Sequence, residues 1–302
     1  MKRVIMVYNP RSSRYADVKR EVLGRTRELG GYMIGKYEVA PTDIDDNIRK
    51  LGTIIRDDDI VLSVGGDATG VIAANAIMSS GKKACLAVLP YGNFNDLSRT
   101  LGTRSFDDIF MGETAKREFY PLEIWVDGKF FRYATCYVTM GMTAEAVQIY
   151  DSPKMRAKLK KKFGRKVGSY TELAGWYFKN RKHHIFISEF CLNGVLMDKR
   201  ISDYAAVNGR SMARVMRGGE DYRDPLAFRH EVDRLTNFYR LVKLMSRSIL
   251  SRIPGTVTNG DVIEFVRPGR VTLQAEGESK AFEGITRIEI RKSKKSLMVL
   301  EK

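Results

Sequence analysis

The first 120 residues alternate short apolar runs with segments whose apolar positions recur at helical spacing. The apolar runs Val4–Val7, Tyr32–Val39, Ile60–Val64 and Cys85–Leu89 predict four strands. The segments between them, 15–29, 44–55 and about 70–80, predict helices. This alternation predicts a mainly parallel sheet with helices on both faces.

After about Phe119 the pattern changes to alternating apolar and polar positions. Leu122–Val126 and Phe130–Thr135 flank Asp127-Gly128, a dipeptide that predicts a tight hairpin turn. Further strands are predicted at 204–208, 262–266, 271–275 and, as a pair, over 285–300, with a long helix over 232–252. The predicted fold class is an N-terminal open parallel α/β domain and a second, β-rich and β-sandwich-like domain, with the boundary near Tyr120-Pro121.

The chain of 302 residues carries a formal net charge of +16. Such an excess favours anionic partners: nucleotides, an anionic membrane face or nucleic acid. Cys85, Cys136 and Cys191 are far apart, which argues against a metal-ligand spacing or a disulfide framework and favours a reducing cytosol. No stretch has the roughly 18 apolar residues of a spanning helix, and the apolar run near the N-terminus is too short for a signal peptide. We therefore expect a cytoplasmic protein.

The stretch Ile60–Asn75 joins a predicted buried strand to a helix through Gly65, Gly66 and Asp67. Glycines allow a sharp turn and the close approach of a ligand. The first turn of a helix offers unpaired N–H groups that suit a phosphate. Asp67 would repel a bare phosphate, so we expect a metal ion or a substrate hydroxyl between them. The alternative is a plain strand-to-helix turn with Asp67 as the N-cap residue.

Two more polar loops follow predicted strands. Asn9-Pro10-Arg11-Ser12-Ser13 comes after the first strand, and Pro90-Tyr91-Gly92-Asn93-Phe94-Asn95-Asp96 comes after the fourth. Ligands of open α/β sheets bind at the carboxyl ends of the strands. We therefore expect both loops to face the same nucleotide-binding crevice as the glycine turn. For the first loop, helix capping without a ligand is the alternative.

Seven segments, in this order, resemble the catalytic region of diacylglycerol kinases and the related sphingosine kinases, and more distantly NAD kinases. They are NPRSS (9–13), GGDAT (65–69), PYGNFND (90–96), the glycine-alanine segment 141–147, the FGRKVGSY helix (163–170), the segment 221–226 and Glu276-Gly277-Glu278. Ala68, Asn93, Pro225 and Glu276 depart from the family pattern. These departures put the efficiency of phosphoryl transfer in question.

The resemblance implies a lipid kinase that uses ATP and Mg²⁺ to phosphorylate the hydroxyl of a diacylglycerol-like or sphingoid lipid. It implies Glu278 or Glu276 as the general base, with Asp67 orienting the metal or the acceptor. The domains are then 1–120 for the nucleotide and 121–284 for the lipid, with strands over 285–302 returning to the first domain. The implied nucleotide contacts are Asn9, Pro10, Arg11, Ser12, Ser13, Thr42, Gly65, Gly66, Asp67, Ala68, Thr69, Asn93, Asn95 and Asp96.

A metal site is expected in the segment that resembles the magnesium-binding segment of bacterial diacylglycerol kinases. Asp221 and Asp224 are three residues apart and precede a turn, so their oxygens could reach one hard cation. Leu226 completes the candidate set. The alternative is a turn in which Asp224 bonds its own backbone.

The segment Lys154–Lys166 holds eight basic residues and no acidic one. It is either a solvated helix face or a membrane-facing patch, where each Lys or Arg contributes roughly 1 kcal/mol near anionic lipid. Trp176-Tyr177-Phe178 beside basic residues suits an interface, or simply a core. With the family resemblance we expect peripheral binding to the inner membrane face and no nucleic acid partner. The oligomeric state is open, a homodimer included.

Three other functions stay open at this point. The four departures fit a catalytically impaired pseudo-kinase that binds nucleotide or lipid. The GGD turn also suits a NAD kinase-like enzyme. The basic, aromatic segment suits RNA as well, which would bind in a salt-sensitive way without nucleotide.

Overall fold

A computed structural model provides the structure. It describes residues 2–12, 14–92, 95–112, 114–141, 144, 145, 147, 190–197, 201–209, 211, 212, 216, 217, 227–233, 256–258, 260–276 and 278–302. The basic segment Lys154–Lys166, Trp176–Phe178, the metal candidates Asp221, Asp224 and Leu226, and the nucleotide-contact candidates Ser13 and Asn93 lie outside these residues.

The described residues form two sheets with helices around the first. In chain order the elements are β1 (Lys2–Tyr8), α1 (Tyr15–Glu21), a 3-10 helix (Leu23–Glu28), β2 (Tyr32–Glu38), α2 (Ile44–Ile54), β3 (Ile60–Gly65), α3 (Asp67–Ser80), β4 (Cys85–Pro90), α4 (Asp96–Thr100), α5 (Phe106–Phe110), β5 (Ala115–Phe119), β6 (Leu122–Val126), β7 (Lys129–Ala134), β8 (Tyr137–Gly141), β9 (Phe190–Leu192), β10 (Val195–Met197), β11 (Ile201–Val207), β12 (Ser211–Met212), β13 (Met216–Arg217), β14 (Ala227–Asp233), β15 (Thr256–Thr258), β16 (Gly260–Ala275), β17 (Glu278–Lys292) and β18 (Leu297–Glu301).

The first sheet has the order β2-β1-β3-β4-β18-β5. Its strands are parallel except for β5, which runs antiparallel to β18. All of β3 is buried, as expected for a central strand covered on both faces. The predicted parallel α/β domain is confirmed.

The second sheet is antiparallel, with the order β15-β14-β11-β8-β16-β17-β6-β7 and the hairpin β9–β10 attached to β16. The predicted hairpin at Asp127-Gly128 is confirmed: both residues have positive φ, 46° and 75°, between β6 and β7. The two strands predicted at 262–266 and 271–275 are one long strand, β16. The strand continues past Pro268, and its pairing register with β17 shifts between Glu264 and Val271.

Three other segments differ from the sequence prediction. The helix expected over 15–29 is α1 followed by a 3-10 helix, divided around Val22. The helix expected from Val232 does not begin there, because Val232 and Asp233 end strand β14. Of the strands expected over 285–302, only β18 lies in the first sheet, while residues 285–292 belong to β17 of the second sheet.

Helix α3 connects the two sheets, which explains its composition. Val71–Ile77 are buried all round, and the helix has no polar face over these residues. Its core cluster includes first-sheet residues such as Val61 and Leu86, and also Tyr137 and Val207 of the second sheet. The boundary between the domains is therefore a packed apolar layer that fixes their relative position.

Candidate active site between the two domains

The GGDAT segment forms the corner from β3 into α3. Gly66 has extended backbone angles and precedes the helix, so Asp67 is its first residue and not its N-cap. A Cβ on Gly65 would lie 2.5 Å from the Thr69 hydroxyl oxygen, which explains why glycine is required there. Thr69 is buried against Gly65, and its N–H donates to the Gly66 carbonyl at 3.0 Å. This corner is close-packed within itself.

The loop after β4 packs directly on this corner. The Tyr91 N–H donates to the Gly65 carbonyl at 3.1 Å. A Cβ on Gly92 would overlap the Cα of Gly66. Asn95 holds the loop closed, since its amide accepts from Gly92 N at 2.7 Å and donates to Gly92 O at 3.0 Å. The two motif segments therefore form one unit, as expected from the carboxyl ends of adjacent parallel strands.

Asp67 joins these segments through its carboxylate. Its oxygens accept the backbone N–H groups of Asn95 at 3.0 Å and Asp96 at 2.8 Å, at the start of α4. Burial, followed by the charge of Asp96, raises the pKa of Asp67, against the opposing effect of the backbone donors. The alternative of Asp67 as N-cap of α3 is wrong: it holds the amino end of α4 instead.

Asp96 is the second carboxylate at this corner. It is fully buried and lies 3.7 Å from the guanidinium of Arg99. Ala68, which departs from the family pattern, is half-buried in the first turn of α3. Its conformation is helical, so the added methyl causes no backbone strain at this position.

The NPRSS loop lies at the carboxyl end of β1, the neighbour of β3. Asn9 accepts the Arg11 N–H at 3.0 Å, and the Ser12 hydroxyl accepts the Arg14 N–H at 3.4 Å. Arg11 donates to the Ala40 carbonyl at 3.1 Å, while Pro10 is half-buried. Asn9 and Ser12 thus bond backbone N–H groups of this loop, but among the described residues no side chain caps α1, whose N-cap residue is Arg14.

Arg14 connects the NPRSS loop to the loop after β4. It donates to the Pro90 carbonyl at 3.1 Å and lies over the ring of Tyr91, 5.1 Å from its centre. Three of the predicted segments therefore lie at one edge of the sheet. We call the loops after β1, β2, β3 and β4 the first-domain wall.

The opposite side is formed by the β16–β17 turn. Glu276 has φ 49° and is 1% exposed. Its carboxylate accepts the Thr135 hydroxyl, the Cys136 N–H and, at 3.4 Å, the Tyr137 N–H. Burial and the charge of Asp67 raise its pKa to about 8, although the hydrogen bonds oppose this. Glu276 thus fastens its turn to the β7–β8 connection.

Glu278, two residues further on, has a different position. It begins β17, is half-buried and lines a groove of about 340 Å³ between the domains. The other lining residues are Thr42, Asp43 and Ile44 of the first domain and Arg132, Ser279 and Lys280 of the second. We call β7 with the start of β17 the second-domain wall. The groove therefore brings Thr42 and Glu278 together.

Thr42 stands in the loop between β2 and α2. Its hydroxyl donates to Asp46 at 3.3 Å and accepts from the amide of Asn47 at 3.3 Å. Asn47 is buried and also bonds Ala40 and Asp43, so it shapes the whole loop. These bonds hold Thr42 at the edge of the groove.

Two buried asparagines that the sequence analysis missed hold the domains together. Asn75 of α3 exchanges hydrogen bonds with the backbone of Tyr133, at 2.8 and 2.9 Å. Asn208, after β11, donates to the carbonyls of Tyr120 and Thr135 and accepts from Lys292. An amide within an otherwise apolar helix, VIAANAI, is the signal that could have identified Asn75.

The described ranges contain no group of three or more His, Cys, Asp or Glu residues arranged to hold a metal ion. They also contain no helix that is both long and apolar enough to cross a bilayer.

The chain is similar to known proteins both in its sequence and in its fold. The family model of the diacylglycerol kinase catalytic domain matches residues 3–118. A solved structure of a diacylglycerol kinase from Bacillus anthracis str. Sterne is 15% identical, covers 100% of this chain and 97% of its own, and has a TM-score of 0.67. Two further structures assigned to this kind of kinase in the same organism have 15% and 14% identity, the same coverage and TM-scores of 0.68 and 0.65. No curated protein matches the sequence.

The family match covers the first domain and ends near the predicted domain boundary. Over residues 3–118 the chain is similar to the catalytic domain of diacylglycerol kinases, which confirms the resemblance that the sequence motifs of this part indicated. The solved structures share the two-domain fold over the whole chain.

Proposed function

We propose that this protein is an ATP- and Mg²⁺-dependent lipid kinase, which phosphorylates the hydroxyl of a diacylglycerol-like or sphingoid lipid at an anionic membrane surface. The observation that carries the proposal is the groove between the walls. It joins Thr42 of the kinase-type domain to Glu278 of the second domain. A phosphoryl donor held by one wall would then meet an acceptor held by the other.

The amino end of α3 supports a phosphate site on the first-domain wall. No side chain among the described residues caps this helix, since Asp67 bonds α4 instead. The N–H groups and the partial positive charge of a 14-residue helix favour an anion there. The backbone contact between Gly66 and Gly92 holds the two loops in place beside it.

The second-domain wall supplies the general base. Glu278 fits this role because it lines the groove, whereas the Glu276 carboxylate is buried and bonds Thr135 and Cys136. A carboxylate within reach of the acceptor hydroxyl can take its proton as the phosphoryl group moves. We therefore assign the base to Glu278 and a structural role to Glu276.

In this proposal Asp67 is the protein ligand of the magnesium ion. Because the described residues contain no group of three or more candidate ligands, substrate phosphates and water would complete the coordination. Asp67 and Asp96 are close enough for like charge to raise the pKa of Asp67, and a cation would relieve that repulsion. Mg²⁺ in kinases usually binds one or two carboxylates together with the substrate phosphates. Asp67 would hold it, and the bound ion would neutralise charge on the transferred phosphoryl group.

The direct test is transfer of labelled phosphate from ATP to lipid. The purified protein is mixed with Mg²⁺ and anionic vesicles, with and without diacylglycerol or sphingosine, and label in the lipid fraction is counted. Label that depends on the added lipid is expected. ATP that protects against heat unfolding without labelling any lipid would favour a pseudo-kinase, and conversion of NAD to NADP would favour the NAD kinase-like alternative. Without protection by ATP, the nucleotide site itself would be refuted.

Membrane binding is the second part of the proposal. A net charge of +16 supports attraction to anionic lipid. We expect sedimentation with phosphatidylglycerol vesicles that is lost in neutral vesicles and at high salt. Equal sedimentation with both vesicle types would contradict it.

A further inference from the structure

The cationic side of the groove is occupied by a carboxylate of the first domain. Arg132 of β7 is 4% exposed, and its Nη2 donates to Asp45 Oδ1 at 2.6 Å. Asp45 belongs to the first turn of α2, so this ion pair crosses from one domain to the other. Lys280 of β17 lies 3.8 Å from the second oxygen of Asp45. The Asp45 carboxylate thus forms ion pairs with both Arg132 and Lys280.

One N–H donor of the Arg132 guanidinium has no partner among the described residues. This donor is Nε, which is buried. A buried donor without an acceptor costs about 1–3 kcal/mol. A guanidinium has donors in a fixed fork that match the oxygens of a phosphate. Asp45 is 47% exposed, so it is the partner that can leave while Arg132 remains enclosed.

The other charges of the groove show what such an exchange would do. Asp43 and Glu278 also line it, so within the described part of the chain three carboxylates and two cations lie at this groove. A phosphate entering this groove would be repelled while Asp45 stays in place. Once Asp45 moves away, Arg132 and Lys280 are both available to an anion.

We propose that Arg132 is a further nucleotide-binding residue, which exchanges Asp45 for a phosphate group of ATP when the groove is filled, with Lys280 beside it. The proposal rests on the proposed function, because it takes ATP as the ligand of the groove. Asp45 then competes with the nucleotide for the same guanidinium.

Opposite effects of two substitutions test this exchange. ATP affinity is measured by calorimetry for the full chain with Mg²⁺. Arg132→Gln should weaken ATP binding about tenfold or more, as expected for loss of a charged hydrogen bond. Asp45→Asn should tighten it by about threefold to fivefold, since an ion pair no longer has to be broken. The double variant should bind like Arg132→Gln alone.

A matched pair elsewhere provides the control. Arg25 Nη2 lies 2.6 Å from Asp107 Oδ1 and over the ring of Phe106, 4.7 Å from its centre. Arg132 has the same relation to Asp45 and to Phe131, at 2.6 and 4.8 Å. Asp107→Asn and Arg25→Gln remove a more exposed pair, in which Arg25 also bonds Glu28 and which does not line the groove, and neither should change ATP affinity.

The outcomes separate the inference from the function. If both Arg132→Gln and Asp45→Asn weaken ATP binding, the pair is only structural and the exchange is refuted. If neither changes ATP binding, the exchange is refuted as well, while the kinase proposal stands. If the wild-type protein does not bind ATP, both proposals fail. Thermal unfolding without ligand shows which variants are folded. If Arg132→Gln is not folded, Arg132→Lys replaces it in the ATP-binding measurement.

Discussion

The two walls of the groove are built by different means. The first-domain wall is made of strand-to-helix loops. The loops after β3 and β4 touch through glycine backbone at Gly66 and Gly92, and the loop after β2 lines the groove. The second-domain wall is made of side chains from strands that are distant in sequence, such as Arg132 and Glu278. The geometry of the first-domain wall depends on glycines that leave room for close backbone contact. The charge of the second-domain wall depends on which side chains face the groove.

The turn at 276–278 shows how much the second wall depends on direction. Glu276 and Glu278 are two residues apart in one motif. The first is buried against Thr135 and Cys136, and the second lines the groove. The same residue type in one short motif therefore has two different environments.

The largest effect of any single substitution at constant pH should come from filling the glycine contact of the first wall. A methyl group on Gly92 would overlap Gly66, so Gly92→Ala should lower the free energy of unfolding by about 3 kcal/mol, near the upper end for overpacking. ATP protection should be lost with it. Gly31→Ala is the control, because a Cβ there meets nothing within 4 Å. Equal urea midpoints for the two variants would contradict the backbone contact.

The second wall should give a pH-dependent effect through Glu276. Its pKa is raised from 4.5 to about 8, so between these values the folded state keeps a proton that the unfolded chain has lost. Its contribution to stability therefore falls as pH rises, by up to about 1.4 kcal/mol per pH unit. Urea unfolding from pH 5 to 8 should show this slope in the difference between wild type and Glu276→Gln. A difference that is flat, or rises with pH, would be evidence against the buried carboxyl.

A smaller effect is expected where the two walls are joined. Asn75→Ala leaves the Tyr133 backbone groups without their partner and should cost about 2 kcal/mol. Because these bonds cross between domains, ATP affinity should fall too.

Asn47→Ala is the comparison for that variant, since Asn47 is also buried but bonds only first-domain residues among those described. Asn47→Ala should lower the free energy of unfolding. It should change ATP affinity only as far as it shifts the loop that holds Thr42. If Asn75→Ala left ATP affinity unchanged, the joint between the domains would not control the groove.

The sequence predicted the first wall better than the second, for a physical reason. Strand, glycine turn and helix start are consecutive in the chain, so the pattern around Gly65 and Asp67 specifies its own geometry. The positions of Asn75 and Arg132 depend on partners that are 58 and 87 residues away. No local pattern contains that information.

Some predictions failed because tertiary structure overrode local pattern. The helix expected from Val232 gives way at its start to β14, which pairs with β11 and β15. The strand pair expected to return to the first sheet is divided between the sheets, since 285–292 pair with β6 and β16. Helical spacing and apolar runs do not say which partner a segment finds.

We propose that phosphoryl transfer takes place in the groove, with Glu278 and not Glu276 as the general base. The most direct measurement compares the rate of lipid phosphorylation by wild type, Glu278→Gln and Glu276→Gln, at a pH and temperature where all three are folded. We expect Glu278→Gln to lower the rate about 100-fold or more while ATP still protects the fold, as for loss of a general base. Glu276→Gln should retain transfer. The reverse order, or equal loss in both variants, would contradict the assignment.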